Sequence, residues 1–530
     1  MNNFYPASPT DVPKHITRAS KTYKRHAWLA MLLLLTFVII YLSMTAWFAW
    51  TAYYLIVNAN AAQYQLFNIV GGACSALLSV FMLRAFFFFE HSGEINDMEV
   101  TQEKEPALFD FLHQLADEAG APRPHRVFLS SRVNAAVFYD LTILNLFFPS
   151  KKNVEIGLPL INCLNLGELK AVLAHELGHF AQKSMAVGRW SLVVGRWVYV
   201  AQQIAAHIIS KRDAFDSFLI GLSRTDIRIA WLGWLLRIIV WSIRSAMETL
   251  FSFVIMAQRA LSREMEFQAD RVAVSLTGSD ALIHALHKLE AADDSWERAL
   301  GFMQSELGNK RAVNNLFLVQ QRVIEHLRKI LDDASYGKEP TLPTKNPEQF
   351  RVFKRKLAQP PKMWATHPEN TAREENAKEI YIRANIDSRS GWDLFNNPKQ
   401  LQETATADTI EKYTPKDSSL TIEDCTSHLD AMYNKNVFNP KYRGTYLGRS
   451  AVRNYASVHD MYVDNGMPKL HDFDNLYTKE TADHIEQLNN LNEERFHLSS
   501  IQNGSMKAHG GIARFRGKEL QKNTAVRFKN

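Results

Sequence analysis

Two long apolar runs stand ahead of a chain that otherwise alternates short apolar and polar stretches. Residues 1–26 are polar and basic, with Lys14, Arg18, Lys21, Lys24 and Arg25. Ala27 to Val57 then passes without one charged residue. A membrane-spanning helix needs about 20 apolar residues, so this run is ample. Trp28, Trp47, Trp50, Tyr53 and Tyr54 suit the two membrane interfaces. The run is too long for a cleaved signal peptide, and no small-residue cleavage site follows it. After the uncharged link Asn58–Gln65, a second run extends from Leu66 to Phe89. Only Arg84 interrupts it, near its end, where the long side chain can snorkel to the interface. The pattern therefore predicts two transmembrane helices within residues 27–89.

Beyond residue 90 the periods change. Pro106 starts a helix that ends near Gly120. Val127–Ser130, Val133–Phe138 and Asn153–Leu158 read as strands. Asn165 followed by Glu168 is a capping box, and the residues after it form a helix with apolar contacts at Val172, Leu173, Leu177 and Phe180. A further helix runs from about Glu248 to Thr277, with Gly278 as its stop. Between these two helices lie apolar stretches at Trp190–Ile209 and Ile229–Ala257. They carry Arg196, His207, Arg237, Arg244 and Glu248, which makes them poor lipid-facing helices. Residues 279–335 read as helices, and Lys338–Lys362, rich in Pro and Lys, as a linker. From Ser388 to Asn530 the chain is polar with scattered aromatics, and no chemistry is legible there.

At 530 residues the chain is long enough for two or three domains. The expected division is a basic N-terminus (1–26), two membrane helices (27–89), a catalytic domain (90–380) with a possible membrane hairpin at about 190–257, and a polar region (381–530). A formal charge of +6, scattered along the chain, gives no reason to expect nucleic acid as a partner. Cys74, Cys163 and Cys425 are far apart and suggest no disulfide scaffold and no metal pattern.

Candidate chemistry concentrates in Ala171-Val-Leu-Ala-His175-Glu176-Leu-Gly-His179-Phe180. On a helix, His175 and His179 are four apart and share a face, where two imidazoles can grip one zinc ion. Glu176, beside the first histidine, is placed to act as general base toward an attacking water. A catalytic zinc needs a third protein ligand and an open fourth position. The sixth residue after His179 is Met185, not histidine, and no glutamate occurs between Glu176 and Glu248. The next candidate is Ser262-Arg-Glu-Met-Glu266-Phe-Gln-Ala-Asp270, where Glu266 and Asp270 share a helix face. Glu266 would bind the metal and Asp270 would orient a ligand histidine. Taken alone, the pair would read as a solvated acidic face matched to Arg259, Arg263 or Arg271.

Together, His175-Glu-Leu-Gly-His179 and Ser262-Arg-x-x-Glu266-Phe-x-Ala-Asp270 resemble the membrane-bound gluzincin metallopeptidases, which include the HtpX-type and CAAX prenyl proteases. Asn134-Ala135-Ala136 looks like that family's edge strand, and Thr366-His367-Pro368 with Arg373 looks like its Thr-His-Pro…Arg element. The resemblance covers roughly Glu94 to Gly278 plus this later patch. It implies an α+β fold, mostly α, in which membrane helices precede a metallopeptidase domain with a small sheet. It implies one Zn²⁺ held by His175, His179 and Glu266, and a polypeptide substrate paired along Asn134, Ala135, Ala136 and Val137. His367 and Arg373 would approach the metal or steady the transition state, or else simply form a turn and a helix surface.

A basic N-terminus and two crossings place the catalytic segment on the cytoplasmic side of a bacterial-type inner membrane. If Glu266 shares a metal with the two histidines, the number of crossings between them is zero or two. The function expected is zinc-dependent endopeptidase activity in membrane-protein quality control. The alternatives are a non-proteolytic chaperone or adaptor with a structural zinc, and a prenyl-protein protease.

Overall fold

A computed structural model describes residues 4–13, 15–59, 65–84, 97–139, 152–185, 227–353, 368–414, 420–435, 440–445, 477–502, 513–515 and 518–520. It is mostly helical. Helix α1 (Lys21–Val57) contains the first apolar run and starts six residues before it, and helix α2 (Gln65–Arg84) covers the second as far as Arg84, residues 85–89 lying outside the described residues. Ser20 caps α1 by accepting a hydrogen bond from the Tyr23 amide. Strand β1 (Met98–Val100), helix α3 (Pro106–Ala119), strands β2 (Arg126–Ser130), β3 (Ala135–Tyr139) and β4 (Lys152–Gly157), and the short helix α4 (Leu158–Ile161) follow. Helix α5 (Leu166–Met185) carries the two histidines. Then come α6 (Ile227–Thr277), α7 (Ser279–Gly308), β5 (Arg311–Val313), α8 (Leu316–Ile330) and α9 (Asn370–Glu379).

The helix expected from Glu248 begins twenty-one residues earlier, at Ile227. No proline separates the apolar stretch from the acidic motif, so one rod of 51 residues carries both. At 1.5 Å per residue it is roughly 76 Å long. The Trp190–Ile209 stretch lies outside the described residues. Helix α6 belongs to two separate cores. Its first half contributes Val240, Met247 and Val254 to a cluster with Leu34, Phe37 and Tyr41 of α1 and Leu78 and Met82 of α2. Its last turns contribute Val272, Ala273 and Val274 to the large core built with α3, the sheet, α5, α7 and α8.

The outer faces of the smaller cluster are apolar. Trp28, Leu32, Leu35, Ile39, Trp47, Trp50, Leu66, Phe67, Trp234, Ile238 and Trp241 are exposed. So large a continuous apolar surface is uncommon on a protein surrounded by water. Two helices, Lys21–Val57 and the stretch Ile238–Thr277, are long and apolar enough to cross a membrane.

The four-stranded sheet has the order β1-β2-β4-β3. Strands β2 and β4 pair in parallel at its centre, while β1 and β3 flank them antiparallel. The central strands send Val127, Leu129, Val154 and Ile156 into the core, while the other face of β4 buries Glu155, which accepts from Ser130 at 2.7 Å and Arg132 at 2.9 Å. Strand β3 forms one edge and packs against α5. Its approach is fixed by backbone: the Gly157 amide donates to the Asn134 carbonyl at 2.7 Å. A Cβ at Gly157 would stand 1.8 Å from the Arg132 carbonyl oxygen.

Residues 4–13 and 15–20, which read as part of a basic tail, form a strap across the large core. Tyr5 packs on Phe111, with ring centroids 5.3 Å apart, and Ile16 is buried in the core. Tyr5 and Ser8 hydroxyls donate to Glu118 at 2.8 and 2.6 Å. Lys170 of α5, 1% exposed, donates its ammonium to the Pro6 carbonyl and the Ser8 hydroxyl, both at 2.8 Å. Burial pulls this lysine down to about 8, against the opposing pull of Glu118. The Gln268 amide, in turn, donates to the Thr17 carbonyl.

The core also continues past residue 380. Trp392, Leu394, Phe395, Ala405, Ile410, Leu429 and Tyr433 join it, although the sequence there shows no long apolar face. These residues lie singly on a 3-10 turn, on α10 (Pro398–Glu411) and on α11 (Thr426–Lys435). Strand β6 (Thr421–Glu423) pairs in parallel with β5. Asp430 of α11 accepts from Arg322 at 2.8 Å twice, and lies 2.7 Å from His326 Nε2. Helix α12 (Lys479–Gln502) and the hairpin β7 (Ala513–Phe515) and β8 (Lys518–Leu520) complete the described chain.

Two glycines give a paired test of this account. Gly157→Ala must displace the Arg132–Asn134 backbone and is expected to lower the melting temperature by an amount equivalent to about 2 kcal/mol or more. Gly301, in α7, meets nothing within 4 Å. Gly301→Ala is expected to be neutral or to stabilise by about 0.5–1 kcal/mol, the usual gain for alanine within a helix. Thermal denaturation of the two detergent-solubilised variants measures the difference; equal melting points would refute the close approach at Gly157.

Candidate metal centre

Helix α5 starts on its capping box. The Glu168 amide donates to Asn165 Oδ1 at 2.8 Å, and the Asn165 amide donates to Glu168 Oε2 at 3.0 Å. Lys288 of α7 also donates to Glu168 at 2.8 Å, so the start of the helix is tied into the core. Three turns later the helix presents His175, Glu176 and His179.

Helix α6 meets α5 at Gly178, between Glu176 and His179. A Cβ there would meet Ala269 Cα at 3.3 Å and Val272 Cβ at 3.2 Å. With hydrogen in its place the two helices approach closely. Glu266, one turn before Asp270, then faces both histidines. His175 Nε2 is 3.3 Å from Glu266 Oε2, and His179 Nε2 is 3.5 Å from Glu266 Oε1. One donor atom from each of the three residues lies within 4.8 Å of the others. Two imidazole nitrogens and a carboxylate oxygen are the donor set of a zinc site with an open position.

Asp270 sits behind this trio with no exposure at all. Its Oδ1 accepts from His175 Nδ1 at 2.8 Å. That bond turns the ring so that Nε2 faces Glu266 and His179, which is the tautomer a metal requires. Arg373 of α9, 5% exposed, donates to the same carboxylate through Nε at 3.0 Å and Nη2 at 2.6 Å. Removing one partner of such a buried charge pair leaves the other uncompensated, at a cost of about 3–5 kcal/mol. Burial and Arg373 oppose a proton on His175, but Asp270 and Glu266 outweigh them and push the ring up to about 9. Glu176 also acts on Arg373, favouring its charged form, and is half-buried at the same end of the site.

Arg271, one of the arginines that offered Glu266 and Asp270 an alternative, turns away from them. Arg271 instead donates to Glu379 at 2.6 Å and to Asn376 at 3.1 Å. Arg373 has become a buried support and is no helix-surface residue. Asn134 precedes β3, while Ala135, Ala136 and Val137 lie on it, at the sheet edge beside α5. His367 lies outside the described residues. Sequence reasoning missed the buried Lys170, because nothing local distinguishes a lysine that will meet a strap of chain from one that faces water.

A family model, that of peptidase family M48, matches residues 102–381, just over half of the chain. The chain is 31% identical over 196 residues to "Protease HtpX homolog 2" of Methanosarcina acetivorans, covering 37% of this chain and 58% of that protein. It is 28% identical over 253 residues to "Protease HtpX homolog 2" of Methanosarcina mazei, covering 47% and 76%. It is 24% identical over 310 residues to "Protease HtpX homolog" of Ralstonia pickettii, covering 55% and 99%. No solved structure matches. The matched region holds α5, the whole acidic motif of α6 and Arg373, and it places the chain in peptidase family M48, among relatives named as HtpX proteases.

Proposed function

We propose that this chain is a membrane-anchored, zinc-dependent endopeptidase. The observation that carries the proposal is the convergence of His175, His179 and Glu266, from two helices, within 4.8 Å. In this reading those three residues hold one Zn²⁺. Bound zinc would supply Lewis-acid polarisation of the scissile carbonyl and a water of lowered pKa.

The chain's own residues do the rest. Asp270 fixes the His175 ring, and Arg373 keeps Asp270 charged and still. Glu176 takes the proton of the attacking water and passes it to the amine as the carbon–nitrogen bond breaks. The substrate backbone adds as a strand along Asn134, Ala135, Ala136 and Val137. The place of β3 at the end of the strand order among the described residues supports that placement. His367, from its Thr-His-Pro element, is the side chain assigned to steady the developing oxyanion. An ordered general base beside the two histidines favours hydrolysis over a purely structural zinc, which needs none.

The exposed apolar faces of α1, α2 and the first half of α6 support membrane insertion, with the metal centre below the bilayer. The N-terminal strap contacts the same core as the metal centre, so an even number of crossings separates them. Helices α1 and α2 supply two. Between the histidines and Glu266 the number of crossings is likewise zero or two. Quality control of membrane proteins, on the cytoplasmic side of a bacterial inner membrane, is the role proposed from the family resemblance. The aligned part spans 58% of one relative and 76% of another, so substrate and partners rest on this proposal alone.

Glu176→Gln is expected to keep its metal and to lose about 10²–10⁴-fold in casein cleavage, the usual share of a general base; a fully active variant would remove Glu176 from the mechanism. Glu266→Ala is expected to lower zinc content measured on the purified chain, and unchanged zinc would rule it out as a ligand. Gly178→Val is expected to force α5 from α6 and weaken zinc retention against a chelator, without touching any donor. Retention equal to the native chain would mean the helices need no such approach.

A further inference from the structure

Outside the catalytic site the described residues contain a second group of metal-type donors: Glu306, Cys425 and His428. One donor atom from each lies within 4.8 Å of the other two. They come from distant parts of the chain, since Glu306 and His428 are 122 positions apart. Glu306 belongs to the last turns of α7. Cys425 is the N-cap of α11, its carbonyl accepting from the Leu429 amide at 3.0 Å. His428 is the third residue of that helix. An N-cap side chain and the side chain three residues on meet over the first turn, as in a capping box. Here they place sulfur and imidazole beside one carboxylate. Cys425 is fully buried and Glu306 is 5% exposed, while His428 leaves the third side of the group open to solvent.

We propose that Glu306, Cys425 and His428 form a second metal centre, for zinc or a similar thiolate-binding divalent ion, that staples residues 421–435 to the peptidase core. A set of one sulfur, one imidazole nitrogen and one carboxylate oxygen is a zinc-type set and excludes the oxygen-seeking cations. Arg311 does not close the site. It donates to Glu306 through Nε at 2.7 Å and Nη2 at 3.0 Å. A carboxylate offers about four lone-pair positions, and Arg311 uses two of them. His428 Nδ1 lies 3.1 Å from Glu306 Oε2, the oxygen that also accepts from Arg311 Nε, and the Cys425 thiol bonds the same carboxylate, so both other donors already converge on it. Arg311 also offsets part of the negative charge that a thiolate and a carboxylate would bring together. Without metal, burial and Glu306 push the Cys425 thiol up to about 11, so it stays protonated and unreactive. Binding releases that proton to solvent as the sulfur–metal bond forms.

The test uses the full detergent-purified chain, stripped and reloaded with Co²⁺. The native chain is expected to hold about two ions, one per centre. It is also expected to show a thiolate-to-cobalt charge-transfer band in the near ultraviolet. Two imidazoles and a carboxylate cannot produce that band, so the catalytic site cannot imitate it. Cys425→Ser should remove the band and one ion but leave the catalytic ion; Glu266→Ala should do the reverse. A native chain with no thiolate band overturns the proposal, as does a band that survives Cys425→Ser. The first of these readings needs no variant, so a misfolded mutant cannot shield the idea, and neither depends on whether the chain cleaves anything.

Discussion

A single carboxylate that never meets water sets the terms for this molecule. Asp270 touches His175 on one helix and Arg373 on another while itself standing on a third. A buried anion is tolerable only when its partners are in place. Its cost therefore forces α5, α6 and α9 into one arrangement, and that arrangement brings Glu266 to the histidines. The capping box at Asn165 and the Lys288–Glu168 pair work toward the same end from the other side of α5. Gly178 removes the one obstacle, a methyl group between the helices.

Helix α6 gives this centre its relation to the rest of the chain. The same rod contributes Val254 to the apolar bundle and Val272 to the peptidase core. Nothing in its backbone marks the change from one environment to the other; only the side chains do. In the bundle it leaves Trp234, Ile238 and Trp241 exposed, whereas in the core its residues Ala269 and Ala273 are fully buried. Small residues at close contacts and large ones on the open face describe a helix that is held by proteins below and by something apolar above.

What the sequence disclosed was mostly local. The first apolar run, the start of the second, the Asn165–Glu168 box, the Gly278 stop and the three short strands each depend on neighbours within a few positions, and each appears in the structure close to its expected limits. Spacing put Glu266 and Asp270 on one helix face, but their grouping with the histidines was legible only beside the His-Glu-x-x-His motif and the family resemblance the two segments carry together. Four things were hidden. The full length of α6 was obscured because its charges looked like breaks in an apolar pattern. The N-terminal strap looked like a basic tail, since its anchors Lys170 and Glu118 come more than a hundred positions later. The docking of residues 391–433 depends on isolated apolar side chains that have no period. Cys425 fitted no metal pattern in the sequence, since the carboxylate beside it stands more than a hundred positions upstream, at Glu306.

The strap also imposes an order on assembly. Tyr5 and Ser8 bind Glu118, the Pro6 carbonyl takes the ammonium of Lys170, and Thr17 waits for Gln268, 251 positions away. Contacts so distant cannot form until the partner segments exist and have themselves folded. A segment synthesised before α1 thus stays loose while two apolar helices and the greater part of the peptidase core are made. It settles only when α5 and α6 lie side by side. The strap is a late fastening, and a chain in which it is seated is one whose catalytic helices have already met.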